Sequence, residues 1–155
     1  MKSNPRLLVT ATALAVAACS PSDSAVEQAV RDHWPNEQAG QRGRAAFYFD
    51  HAASFEKGAR MSARISARLG TESSISSSHQ QVADEDRARA DEAQWIADAE
   101  LEDVHDVSCA PAAPNPGYNC EMTVTLRGKD GEEARHYAGY RFDTVDGRLA
   151  VVGGL

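Results

Sequence analysis

Five histidines, His33, His51, His79, His105 and His136, are the side chains of this sequence best suited to moving a proton or holding a metal near neutral pH. They are scattered, with no HxxxH or HExxH pattern that would set two imidazoles one helical turn apart around a zinc ion. Asp50 beside His51, and Asp103 near His105, have the makeup of a general base with its orienting carboxylate. Such pairs also arise from composition alone and then lie on the surface. There is no GxSxG elbow and no phosphate-binding glycine loop. The sequence therefore names no catalytic residue, metal ligand or cofactor, and any active site would have to be assembled by folding.

A second set of residues could bind anions. Lys57, Arg60, Arg64 and Arg68 follow one another at steps of three and four, which on a helix makes a basic stripe. Like charges at that spacing repel by about 0.2–0.5 kcal/mol per pair, so something must offset them. Asp84, Asp91 and Asp98 recur one heptad apart further along. The reading carried forward is a helical hairpin whose basic arm faces its acidic arm. The alternative is that the stripe is an anion-binding site for phosphates or a partner's carboxylates.

The cysteines are best approached from the amino terminus. Lys2 and Arg6 precede an apolar run, Leu7 to Ala18, that closes with Val16-Ala17-Ala18-Cys19. A membrane span needs roughly 20 apolar residues, and this run falls well short. Basic start, apolar middle and small residues before a cysteine resemble the signal peptide and lipobox of bacterial lipoproteins. The resemblance implies cleavage after residue 18, lipidation of Cys19 on its thiol and its new amino group, and a tether over residues 19–24. Several acyl chains together give a stable anchor where one would not. Ser20, rather than an aspartate after the cysteine, implies the outer membrane. It also implies an oxidising compartment, where Cys109 and Cys120, left over from lipidation, would pair as a disulfide. A reactive or metal-binding cysteine pair is the alternative, against which stand the absence of a CxxC spacing and of a histidine nearby with ligand spacing.

The 155-residue chain carries 16 basic and 23 acidic residues, for a net charge of −7. The leader holds basic residues and no acidic ones, so the remainder is more acidic still. That balance argues against nucleic acid as a partner and for a domain that stands off an anionic membrane surface.

The elements that must position these residues fall into two halves. Ser24 and Glu27 have capping-box spacing, predicting a helix from Ala25 to Trp34 with Val26, Ala29, Val30 and His33 or Trp34 on its buried side. Pro35 should end it, and Asn36–Gly43 reads as a loop. A long helix is expected over Arg44–Leu69, its buried side marked by Phe55, Ala59, Ser62, Ile65 and Leu69. Phe47-Tyr48-Phe49 would also suit a strand, and Gly58 weakens the helix by about 1 kcal/mol. Gly70–Gln81 is serine-rich and reads as a flexible connection. A helix over Asp84–Glu102 would bury Ala88, Trp95, Ile96 and Ala99.

Past residue 100 the pattern changes to strands. Leu101–Ser108 can form one, and Cys120, Met122, Val124 and Leu126 alternate with Glu121, Thr123 and Thr125 in a second with one wet face. His136–Val145 is a third, with Ala138, Tyr140 and Phe142 together, and Asp146-Gly147 turns it into Leu149–Val152. The expected fold is α+β: residues 25–155 as a single domain, with a helical hairpin at 44–100 and an antiparallel β-meander of three to four strands at 101–152. Cys109, Pro116-Gly117-Tyr118-Asn119-Cys120 and the alternating strand resemble a pattern of small proteobacterial envelope lipoproteins, which implies a cystatin-like or NTF2-like shape and no particular activity. The expected function is an outer-membrane-anchored periplasmic lipoprotein acting as a binding or accessory protein of the cell envelope. Its expected partners are the membrane, through the lipid, and an envelope protein or anionic envelope ligand. The alternative is a small inhibitor or an enzyme acting on envelope polymers.

Overall fold

The computed structural model describes residues 20–71 and 74–155; the leader and Cys19 lie outside the described residues. Two helices, α1 (Asp23–Leu69) and α2 (Ser74–Asp98), precede four strands, β1 (Glu100–Pro111), β2 (Tyr118–Arg127), β3 (Glu133–Val145) and β4 (Arg148–Gly154). The strands form one antiparallel sheet in the order β1-β2-β3-β4. The fold is α+β, and the meander is as expected.

The helical half differs from the expectation. Residues expected to form a helix, a loop and a second helix instead form one 47-residue helix with Pro35 inside it. At 1.5 Å per residue it is about 70 Å long. It starts earlier than the Ser24–Glu27 box implied, because Ser22 is the cap: its Oγ accepts from the Ala25 N–H at 3.3 Å. Asp23 then sits in the first turn, where the helix dipole favours an anion, and Glu27 pairs with Arg31 at 2.8 Å instead of returning to a cap.

Why the helix runs through Pro35 is visible in a row of donors on one side of α1. Trp34 Nε1 and Gln38 Nε2 donate to the Ala99 carbonyl at 3.4 and 3.0 Å, and Arg42 donates to the Ala97 carbonyl at 3.3 Å. Arg31 donates to the Leu101 and Glu102 carbonyls at 3.1 and 2.9 Å. These carbonyls belong to the end of α2 and the start of β1, where a helix leaves acceptors without intrahelical partners. Proline removes one helical donor and strains one turn. A loop over residues 36–43 would scatter Gln38 and Arg42 and leave those carbonyls without their donors.

α2 also begins earlier than its composition suggested. Ser77 and Ser78 hydroxyls donate back to the Ser74 carbonyl at 2.9 and 3.0 Å, and Ser76 Oγ donates across the hairpin to the Ala59 carbonyl at 3.1 Å. The serines expected to form a flexible connection thus form the first two turns. α2 ends at Asp98, and Glu100–Glu102 belong to β1 rather than to the helix. Phe47-Tyr48-Phe49 is helical.

The two helices meet along small side chains. Ala45, Ala52 and Ala59 are buried on α1 at steps of seven, and Ala83, Asp86, Ala90, Ala93 and Ala97 on α2 at alternating steps of three and four. Interaxial distance is set by the side chains at the contact, and a methyl group allows close approach. Ala88, expected in the buried side, is exposed, as are Ile65 and Leu69.

The core lies where the first turns of α1 cross the sheet. Val26, Ala29, Val30 and Trp34 pack on Val104, Cys120, Met122, Val124, Leu126, Tyr140 and Phe142, with Trp95 and Ile96 at the margin. Met122, Leu126 and Phe142 are fully buried, so the alternation of β2 and β3 is the pattern of one dry face. Cys109 and Cys120 are register partners on β1 and β2, 4.1 Å apart at Cα, and form a disulfide. It joins the end of the first strand to the start of the second. Gly117 is required in the loop they close: at φ 89° a Cβ there would fall 1.9 Å from the Phe142 carbonyl oxygen. Asp146 and Gly147, both at positive φ, make the tight turn from β3 to β4.

Candidate binding surfaces on the arm and beside the sheet edge

Only the first part of α1 covers the sheet, so the rest of α1 with α2 projects as an arm. Lys57, Arg60, Arg64 and Arg68 are all exposed on it. They do not face the acidic side of α2. Arg60 lies 3.6 Å from Glu56 of its own helix, and among the described residues no carboxylate pairs with Arg64 or Arg68. Asp84 lies 3.9 Å from Arg87 of its own helix, and Asp98 pairs with Lys129 of the β2–β3 turn at 3.3 Å. Hydrogen bonds from Gln94 and Lys129 hold the Asp98 carboxyl below its ordinary range. The expected pairing of a basic with an acidic arm is therefore corrected.

What joins the arms is a different set of residues, and in one pair the carboxylate is on α1 and the arginine on α2. Glu56 of α1 pairs with Arg87 of α2, and His51 Nδ1 lies 2.6 Å from Oδ2 of the buried Asp86. Arg89 lies 3.4 Å from the other Asp86 oxygen and 5.8 Å from the Tyr48 ring centroid. Phe47 stacks on His51 at 5.6 Å, Phe55 meets His51 edge-on at 4.8 Å, and His79 meets Phe55 at 5.4 Å. Gly58, which weighed against the helix in the sequence, is where His79 fits: a Cβ there would lie 2.9 Å from the His79 Nδ1.

The adjacent acid–imidazole pairs of the sequence are thus rearranged. His51 takes Asp86 and not Asp50, and His105 takes Asp106 at 2.8 Å and not Asp103. The His51 imidazole is flanked by the rings of Phe47 and Phe55, so this pair serves as a polar cross-link between helices. Among the described residues no three His, Cys, Asp or Glu side chains are grouped to hold a metal ion. The sequence left Arg31, Gln38, Arg42, Glu56, Asp86 and Arg87 without a role. The 3-4 spacing of Ala83, Ala90, Ala93 and Ala97 was the one available sign that Asp86 lies on a buried seam.

Among the described residues two surfaces stand out. On the arm, Met61, Ile65 and Leu69 of α1 and Ile75 of α2 are exposed. Met61, Ile65 and Leu69 recur every four residues beside Arg60, Arg64 and Arg68, so apolar and cationic side chains share the outer face of one helix. The other surface is a cleft of about 550 Å³ between α1 and β4, bounded by Asp32, His33 and Asn36 on one side and Arg148, Leu149 and Val151 on the other. Among the described residues no helix is long and apolar enough to cross a membrane. No known family model, curated protein or solved structure matches the chain.

Proposed function

We propose that this chain is a lipoprotein anchored in the outer membrane through Cys19, its domain facing the periplasm, and that it acts as a binding or accessory protein of the envelope. The observation that carries this reading is the outer face of the arm, where exposed Met61, Ile65 and Leu69 run beside Arg64 and Arg68 with no carboxylate partner among the described residues. Large apolar side chains grouped on a surface mark places where a protein or a membrane docks. Arginines among them select an anionic counterpart, such as a partner's carboxylates or an envelope phosphate. The cap at Ser22, three positions after Cys19 in the sequence, supports the anchoring half: a lipid on Cys19 would hold the sheet end of α1 near the membrane and leave the arm away from the point of attachment.

Two measurements test the two halves separately. Labelling cells with a palmitate analogue should mark the wild-type protein and leave Cys19→Ala unprocessed and unlabelled; an unlabelled wild type would end the lipoprotein reading. A photo-crosslinker placed at Ile65 in intact cells should give a discrete adduct. That adduct should vanish when Arg64 and Arg68 are changed to glutamate, while the melting temperature stays within about a degree, as surface charges without partners contribute little to stability. A variant that melts normally and still gives the adduct would remove the basic stripe from the site.

A further inference from the structure

The meander has two edges, and the fold treats them differently. β1 is irregular, with register shifts between Leu101 and Asp103 and between His105 and Ser108, a positive φ at Asp106, and Pro111 at its end. Glu100, Glu102, Asp103 and Asp106 add charge, and Arg31 covers the Leu101 and Glu102 carbonyls. Bulges, charges, proline and a covering side chain are the devices by which an edge strand is kept from pairing with another chain. β4 has fewer of them: Leu149-Ala150-Val151-Val152 is uncharged and free of proline, and β4 is in regular register with β3 from Arg148 to Val151, with a single shift at Val152 before Gly153 pairs with Arg141. Among the described residues, no hydrogen bond joins β4 to anything but β3 and no strand lies beyond it.

The open edge also has a wall. Val151 and Leu149 are the register partners of Phe142 and Thr144, on the face that α1 covers, and both are half-buried against the core. Across the cleft of about 550 Å³ stand His33 and Asn36 of α1 with Asp32. A backbone edge beside a helix gives the two parts of strand-addition recognition: main-chain hydrogen bonds for affinity and a side-chain groove for selectivity. We infer that β4 and α1 form a site that takes an extended segment of another protein as a fifth strand. The free groups of β4 are amides and carbonyls at strand spacing, so the occupant must offer a polypeptide backbone. Its alternate residues would be apolar where they lie against Leu149 and Val151, with Asp32, His33 and Asn36 of α1 facing them across the cleft. Charge disfavours a second copy, since the chain carries a net charge of −7 and Asp23, Glu27 and Asp32 lie on the same stretch of α1. The site is remote from the arm and stands whether or not Cys19 is acylated.

The test is selection of displayed random octapeptides against the full chain in detergent, followed by synthesis of the enriched sequences. Enriched peptides should alternate apolar with polar residues. Methylating their alternate backbone nitrogens in one register should weaken binding about tenfold or more, as loss of backbone hydrogen bonds requires, and in the other register should change it little. Binding should slow amide exchange at residues 149–152. Asn36→Trp, at an exposed helix position lining the cleft, should abolish binding with an unchanged melting temperature. Failure to enrich any sequence, indifference to methylation in both registers, or full binding by Asn36→Trp would overturn the inference. So would a concentration-dependent dimer that excludes the peptides, because the edge would then belong to a second copy.

Discussion

His51 Nδ1 lies 2.6 Å from Asp86 Oδ2, and this contact ties the middle of α1 to the middle of α2 at the one position of α2's buried seam that is not alanine. Asp86 is 2% exposed, whereas His51 is close to half exposed. A hydrogen bond to a charged group contributes about 1.5–3 kcal/mol, but burying the carboxylate offsets much of that. Asp86→Ala should therefore lose about 1 kcal/mol, read as a lower urea midpoint. A gain in stability would assign the pair to fixing the register of the helices rather than to holding them together.

The alanine seam makes a sharper prediction. Ala90 is fully buried between the helices, and Ala88, two residues away, is exposed. Ala90→Leu should cost about 1–3 kcal/mol through overpacking, while Ala88→Leu should change stability little. Equal effects on the melting temperature would refute the assignment of faces.

Pro35 is exposed and interior to α1. Replacing it with alanine restores the helical donor to the Arg31 carbonyl and relieves the ring clash, against a loss of up to about 1 kcal/mol from the freer unfolded chain. Interior proline costs about 3 kcal/mol relative to alanine, so a net gain of about 1–2 kcal/mol is expected. A fall in melting temperature would mean that the backbone geometry imposed by Pro35 is what brings Trp34 and Gln38 to Ala99.

The Cys109–Cys120 bridge joins cysteines 11 positions apart in the sequence. In the chain-entropy model the loop they close contributes about 3 kcal/mol, and Pro111, Pro114 and Pro116 reduce this because the open loop is already stiff. Reduction should lower the melting temperature without loss of helix by circular dichroism. Thiols of Cys109 and Cys120 that alkylate in the unreduced protein would show that the bridge does not form.

Burial pushes the Tyr140 hydroxyl up to about 12, with Glu37 adding to the rise and Arg44 opposing it. The ordinary value is 10.0, so between pH 10 and about 12 the unfolded chain releases a proton that the folded one keeps. The stabilisation is complete below pH 10 and is lost as pH rises towards 12, by an amount on the order of 2 kcal/mol. Tyr140→Phe should flatten this part of the stability curve. An unchanged alkaline slope in that variant would place the titration elsewhere.

The meander was legible because a sheet with one dry face writes its burial directly as alternation, as Cys120, Met122, Val124 and Leu126 do, and because Asp146-Gly147 has few uses other than a tight turn. The pairing of Cys109 with Cys120 followed from the resemblance of the leader to a lipobox and from their place at two strand ends. The length of α1 was not legible. Pro35, Gly40 and Gly43 are local signals worth a few kcal/mol, and what overrides them is a set of long-range hydrogen bonds from Trp34, Gln38 and Arg42 to Ala97 and Ala99, some 55 to 65 residues away. The partners of the charged residues were equally out of reach: composition suggested a basic arm against an acidic one, yet only the rotation of the two helices about their alanine seam decides that Glu56 meets Arg87, that His51 meets Asp86, and that Arg64 and Arg68 point outward. Rotation and register are properties of two packed surfaces, and neither surface carries them alone.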